Sequence, residues 1–181
     1  RIEEATPAAP PKPGGPTIFV RSFAIGGDSP VPAAELTALL QSDGGKRLSM
    51  EQLHALAVRL TAQLRKQGFL VAFAYLPAQE VKDGLVTFSV VPGRYGAIRV
   101  KGNAHVNDAF LRSLFHSIRE GGIIRRDLLE RSLLLAGDFP GIRVKTTLSP
   151  GKRSGTSYFT IEAADKNPGS GAVYIDNWGS R

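Results

Sequence analysis

The chain has 181 residues, of which 42% are apolar and 22% charged, so it can bury a core and is not globally disordered. It has no cysteine, which excludes disulfides, thiolate metal sites and thiol nucleophiles, and no apolar run approaching the ~18 residues of a membrane-spanning helix. Nearly all of its formal net charge of +7 lies in residues 94–168, where thirteen basic side chains face seven acidic ones; residues 17–93 carry seven against six. A basic half of this kind suits a polyanionic or acidic neighbour, or is a well-solvated basic surface. A cysteine-free chain fits the cytosol or the periplasm, and one that opens at Arg1 without an apolar signal segment is, if exported, a mature or trimmed form.

Residues 1–16 hold Ala5-Thr6-Pro7-Ala8-Ala9-Pro10-Pro11-Lys12-Pro13-Gly14-Gly15-Pro16, whose prolines fix an extended backbone and make this a semi-rigid linker, either an expression remnant or a tether to an earlier element. Thr17–Ile25 reads as a strand ending at Gly26-Gly27. A short helix follows over about Pro32–Leu40, with Leu36, Leu39 and Leu40 on one face. Ser49-Met50-Glu51-Gln52 is a capping box that opens a second helix. Met50, Leu53, Ala57, Leu60 and Leu64 line that helix, and Gly68 closes it. Phe69–Leu76 and Leu85–Val91 read as two strands joined by a turn with Pro77, Asp83 and Gly84.

The second half repeats this β-α-α-β-β order. Ile98 and Val100 alternate with Arg99 and Lys101 in a strand that stops at Gly102-Asn103. Asn107 is placed to cap a helix presenting Phe110, Leu111, Leu114 and Phe115, and a second helix spans about Arg126–Ala136. Ile142, Val144, Thr146 and Leu148 alternate with Arg143, Lys145 and Thr147, and Phe159 and Ile161 mark the last strand. Gly68 to Pro77 and Gly141 to Pro150 are both nine residues, and Gly27 and Gly102, which both end a first strand, lie 75 apart. The chain therefore reads as a tandem duplication of an α+β module, over 17–93 and 94–166, each a three-stranded sheet covered on one face by two helices. The uncovered face and at least one strand edge then meet solvent or a partner.

Little of the sequence carries catalytic chemistry. His54, His105 and His116 are scattered, and His-Glu-x-x-His and Gly-x-Ser-x-Gly are absent. Asp127 and Glu130 share a helix with Arg126 and Arg131 and read as a solvated charged face; Gly151-Lys152-Arg153-Ser154-Gly155 reads as a basic hairpin turn. Gly93-Arg94-Tyr95-Gly96 matches a Gly-x-x-Gly phosphate clamp, but such a clamp lies between helices. Here it falls between two strands and reads as a turn joining the modules. No enzyme, metal, cofactor, small-molecule substrate or nucleic acid is expected. Phe69–Leu76, by contrast, is apolar on both alternating faces, and one face of a sheet covered on one side has no core to enter. Either it docks an extended chain by strand addition, with Leu70, Val71, Ala72, Phe73, Ala74 and Tyr75 as the binding edge and face, or it packs on the neighbouring module.

Leu76-Pro77-Ala78-Gln79-Glu80 with Asp83-Gly84, then Val91-Pro92-Gly93-Arg94, resembles the first POTRA domain of two-partner secretion transporters of the haemolysin-activator type. Gly102-Asn103, Leu128–Ala136 leading into Gly137-Asp138-Phe139-Pro140-Gly141-Ile142, then Leu148-Ser149-Pro150-Gly151 and Gly155-Thr156, resembles the second. Asp176-Asn177-Trp178-Gly179-Ser180 is similar to the segment that opens the first barrel strand, in residues 167–181. In order and spacing these motifs cover Thr17 to Arg181, with Gly137-Asp138-Phe139 standing where the family often has Asn-Asp-Leu.

The resemblance implies a periplasmic pair of POTRA modules on a Gram-negative outer membrane, preceded by a plug helix and linker and followed by a β-barrel; a chain without plug and barrel is a fragment that forms no pore alone. It implies an unfolded secreted exoprotein as partner, captured through its amino-terminal secretion domain and passed to the protein's own barrel. On that reading the Leu70–Leu76 strand is the candidate edge for the client. Arg99, Lys101, Arg143 and Lys145 would attract acidic stretches of the client or lipid headgroups. The alternative is a POTRA scaffold for barrel assembly or a cell-division complex, with no secretion client; Asp176-Asn177-Trp178-Gly179 speaks against the division type.

Overall fold

Apolar residues at helical and strand spacing gather around two separate cores in the computed structural model, which describes residues 16–102, 107–138 and 142–165. One compact unit is made by the chain up to Gln63 together with Phe73–Val90, the other by Leu64–Ala72 together with the chain from Val91 onward. The division differs from a single cut after residue 93, because the stretch 64–72 groups with the second unit. The proline-rich linker up to Gly15, Asn103, His105, Phe139–Gly141 and the Asp176–Ser180 motif lie outside the described residues.

The first unit runs β1 (Thr17–Val20), β2 (Ser22–Gly27), α1 (Ala33–Ala38), a 3-10 turn at Gln41–Asp43, β3 (Lys46–Ser49), α2 (Met50–Lys66), β4 (Phe73–Tyr75) and β5 (Leu85–Val91). The stretch expected as one strand from Thr17 to Ile25 is two. It breaks at Arg21, whose N–H bonds to Gly84 O at 2.7 Å, so that β1 pairs antiparallel with β3 in a sheet of its own while β2 joins β5 in parallel. β3 escapes a reading by periodicity because Lys46 and Arg47 open it, with only Leu48 buried. The capping box forms as expected: Ser49 N–H donates to Gln52 Oε1 at 2.8 Å and Gln52 N–H to Ser49 Oγ at 3.2 Å. Leu53, Leu56, Ala57, Leu60 and Leu64 are buried along α2, whereas Met50, at its first position, is exposed. The main sheet has the order β2-β5-β4. Phe88 on its central strand is fully buried with its ring 6.0 Å from that of Phe23, and burial of each such side chain contributes about 2–3 kcal/mol.

The second unit has β6 (Arg94–Lys101), α3 (Asp108–Leu114), α4 (Arg126–Gly137), β7 (Ile142–Pro150) and β8 (Thr156–Asp165). Its sheet order is β6-β8-β7, again first strand, last strand, middle strand, with β6 parallel and β7 antiparallel to β8. Each unit is thus the α+β arrangement expected, repeated in tandem, with the β1–β3 pair as an addition in the first. Asn107 Oδ1 caps α3 by accepting from Phe110 N–H at 2.8 Å. The core gathers Tyr95, Val100, Leu111, Phe115, Ile118, Leu129, Phe159 and Ile161, with Phe159 facing Tyr95 and Phe115 at 5.5 and 5.9 Å. Arg94-Tyr95-Gly96, expected as a turn between modules, instead begins β6, with a bulge between Tyr95 and Ala97.

Phe69–Leu76 is extended as a strand only over Phe73–Tyr75. Phe69–Ala72 is a turn: Phe69 N–H bonds to Leu64 O and Ala72 N–H to Phe69 O, and Leu70 and Val71 pack on the second unit's core. Apolarity on both faces of this run comes from two different burials, not from a two-sided strand.

Two substitutions separate backbone strain from steric clash. Gly27 has φ +83° and a Cβ there would lie 2.5 Å from Val90 O, whereas Gly45 has φ +74° and open space around it. In urea unfolding Gly45→Ala should lose about 1 kcal/mol for the left-handed backbone, and Gly27→Ala at least about 2 kcal/mol more. Tyr95, 2% exposed, has a buried hydroxyl with no hydrogen-bond partner among the described residues, and burial pushes its pKa far above the ordinary tyrosine value. Tyr95→Phe should therefore stabilise the second unit by about 1 kcal/mol at neutral pH. Because the unfolded phenol ionises at about pH 10 while the folded one resists, stability should fall as pH rises past that value, and less so in the phenylalanine variant.

Candidate binding edges of the two sheets

A strand at a sheet edge turns every second residue's N–H and C=O outward, where each needs water, a side chain or another chain. The two three-stranded sheets have four such edges, and hydrogen bonding distinguishes them. Within β4 the outward pair belongs to Ala74, and α2 closes it: Ala74 N–H donates to Thr61 Oγ1 at 2.9 Å, with Ala74 O 3.4 Å from the same hydroxyl. The Thr61 proton also reaches Ala57 O at 2.9 Å, so the side chain is held to its own helix. Beside β4, the Gln79 amide brackets Thr87 of β5, donating from Nε2 to Thr87 O at 2.8 Å and accepting Thr87 N–H on Oε1 at 2.9 Å. A side-chain amide takes the place of a strand there.

The other edge of that sheet is β2. Ser22 N–H donates to Gly84 O and Asp28 N–H to Val90 O, which sets the parallel register and turns the groups of Phe23, Ile25 and Gly27 outward. Among the described residues nothing meets them.

In the second unit the closed edge is β6. Tyr95 N–H bonds to Gly122 O and Tyr95 O accepts from Gly121 N–H at 2.9 and 2.7 Å; further along, Ile98 N–H donates to Glu120 Oε1 at 3.1 Å and Gly102 N–H to Asp108 Oδ1 at 2.6 Å. On β7 the register continues from Gly151 N–H to Thr156 O, so Arg143, Lys145, Thr147 and Ser149 bond to β8, and Val144, Thr146 and Leu148 turn outward. These three meet no partner among the described residues. Pro150, which has no N–H, falls on the outward parity and was the one sequence sign that this strand is an edge.

Of the residues singled out from the sequence, Ala72 and Ala74 are buried, Leu70 and Val71 belong to the second unit's core, and Phe73 and Tyr75 lie on the helix-free face of the first sheet with rings 6.1 Å apart, Tyr75 being exposed. The helix-free face of the second sheet brings together Arg99 and Lys101 from β6, Tyr158, Thr160 and Glu162 from β8, and Arg143 and Lys145 from β7. Arg99 stacks over the Tyr158 ring at 5.2 Å, and Lys101 pairs with Glu162 at 3.2 Å. Lys145 stands directly across from the same Glu162, and Arg143 across from Ala164; neither has an ion-pair partner among the described residues, and Arg143 Nη2 is buried without a hydrogen bond. Asp127 is gripped by Arg125 at 2.6 and 3.0 Å in the first turn of α4, and His54 and His116 are exposed. Among the described residues no three histidines or carboxylates gather as a metal-binding group.

Residues 18–93 match the family of POTRA domains, ShlB-type. The chain is 31% identical to the heme/hemopexin transporter protein HuxB of Haemophilus influenzae over 148 residues, 81% of this chain and 26% of that protein. It is 27% identical to the outer membrane transporter CdiB of Escherichia coli over 92% of this chain and 28% of that one. The chain therefore spans about a quarter of the length of the curated relatives it matches. The solved structure of CdiB from Escherichia coli superposes with a TM-score of 0.74 at 25% identity, covering 90% of this chain and 30% of that one. POTRA domains 1–3 of the periplasmic domain of Omp85 from Anabaena share the fold, with a TM-score of 0.65 at 18% identity over 84% of this chain and 66% of that one. Residues 18–93 are a POTRA domain of the ShlB type, and domain match, sequence relatives and fold agree in likening the chain to the POTRA region of outer membrane transporters such as HuxB and CdiB.

Proposed function

We propose that the two modules are the periplasmic, client-capturing part of an outer-membrane transporter. They hold an exported, still unfolded partner protein by its amino-terminal secretion domain and pass it to the β-barrel pore of the same protein. The observation that carries this reading is the asymmetry of the edges: each sheet has one edge closed by side chains or a returning loop of its own module and one left with three alternate outward residues that nothing among the described residues meets, Phe23, Ile25 and Gly27 on β2 and Val144, Thr146 and Leu148 on β7. Backbone pairing at such an edge is tolerant of sequence, weak over a short length and reversible, as a moving chain requires. The relatives, an outer membrane transporter and a heme/hemopexin transporter protein, support transport over an enzymatic role. Capture in this form needs neither cofactor nor nucleotide.

Of the Leu70–Tyr75 run, Phe73 and Tyr75 keep a part in this reading as apolar contacts on the open sheet face, while the client pairs at β2 and β7. The basic face with Arg99, Lys101, Arg143 and Lys145 raises the local concentration of acidic client segments, an attraction that weakens in salt.

Proline at an outward position tests the reading without breaking the sheet, because Thr146 and Ile25 direct their N–H groups away from β8 and β5. In the parent transporter, Ile25→Pro and Thr146→Pro should each lower secretion of the partner about fivefold, the loss of one backbone bond, with unchanged transporter level in the outer membrane. Undiminished secretion by the double variant would overturn strand addition at these edges.

A further inference from the structure

We infer that the β7 edge selects its client by charge pattern: it accepts an extended segment in which acidic and apolar residues alternate, with Arg143 and Lys145 as the specificity-determining residues. This rests on the capture reading above and adds the class of segment captured.

A strand paired to β7 continues the sheet, and residues directly opposite one another point to the same face, 4.5–5.5 Å apart at Cβ in general. Residues opposite Val144, Thr146 and Leu148 then point to the helix side. Val144 and Leu148 pack there on the core, and α4, which packs on β7, leaves Leu134 and Leu135 exposed. Residues opposite Arg143 and Lys145 point to the helix-free side, two positions apart. The four basic residues of that face are not equivalent. Arg99 is stacked on Tyr158 and Lys101 holds Glu162, the face's central carboxylate, at 3.2 Å. Both β6 cations are thus engaged within the sheet.

Lys145 shares Glu162 as its cross-strand neighbour but has no bond to it, and Arg143, opposite Ala164, has an Nη2 that no acceptor among the described residues meets. Two cations without an ion pair among the described residues therefore flank an open backbone edge at the i, i+2 spacing of strand side chains, and carboxylates at the same spacing on an added strand pair with both. The same pair disfavours a second copy of β7, which would set cation against cation.

The test uses the 181-residue chain and three labelled nine-residue peptides that alternate valine with glutamate, glutamine or lysine, titrated by fluorescence anisotropy at low salt. The glutamate peptide should bind about tenfold more tightly than the glutamine one, a few-fold for each cross-strand charge pair, and the lysine peptide most weakly. Arg143→Glu/Lys145→Glu should reverse that order. Lys145→Gln alone, at the exposed position, should remove about half of the preference in logarithmic terms, which guards against misfolding of the double variant. Thr146→Pro should weaken all three peptides. Equal binding of the three peptides by the wild type would overturn selection and leave capture standing. A glutamate preference untouched by Thr146→Pro would mean charge attraction without strand pairing and would overturn the inference. No binding of any peptide would overturn both it and capture at this edge.

Discussion

The constraint on which this structure turns is the obligation of every outward N–H and C=O on an edge strand to find a partner. A three-stranded sheet has two edges and only one internal strand, so the edges dominate its surface chemistry. In this protein the obligation is met by a threonine from a helix at β4, by a glutamine amide beside it, and by a returning loop and two carboxylates at β6, while at β2 and β7 nothing among the described residues meets it. The fold is a duplication, yet the closed edge is the middle strand in the first module and the first strand in the second. That exchange follows from local sequence, because Thr61 and Gln79 act only in the first module, and Glu120, Gly121, Gly122 and Asp108 only in the second.

Closing an edge with a side chain has a modest thermodynamic value, roughly that of one ordinary hydrogen bond, about 1 kcal/mol. Its larger consequence is directional. An incoming chain must displace Thr61 or Gln79 to pair at the β4 side, whereas at β2 and β7 it displaces no hydrogen-bond partner among the described residues. Small differences of this kind suit a transporter, in which a client has to be held and then released. On the proposed reading, the basic character of the second module acts over a longer range on which segments arrive, and backbone pairing determines where they stay.

Much of the architecture was legible in the sequence. The capping box at Ser49–Gln52, the Asn107 cap and the 3–4 spacing of Leu53, Ala57, Leu60 and Leu64 are local signals with local causes, and they locate α2 and α3 correctly. The duplicated β-α-α-β-β order was visible because each half repeats its glycine and proline punctuation. What misled was the Phe69–Leu76 run. Its unbroken apolarity suggests a long strand, but Leu70 and Val71 are apolar because they belong to the second unit's core, and only Phe73–Tyr75 pair. The β1–β3 sheet was hidden for the opposite reason, since two of the four residues of β3 are solvated cations. The candidate edges were least legible of all. Whether a backbone group faces a neighbour or solvent depends on pairing parity, which side-chain patterns do not encode; Pro150 was the exception because it removes the N–H outright. The cations were found by alternation alone, but only the fold separates the engaged Arg99 and Lys101 from Arg143 and Lys145, which have no ion-pair partner among the described residues.

Amide hydrogen exchange, residue by residue, on the chain alone and with the alternating glutamate–valine peptide, tests the central claim most directly. The account predicts that the amides of Val144, Thr146 and Leu148 exchange rapidly in the free chain, while Ala74, Tyr95, Ile98 and Gly102, which also lie on edges, are protected, and that the peptide slows the first three. Protection of all these amides alike before any peptide is added, or no slowing at Val144, Thr146 and Leu148 once it is bound, would contradict it.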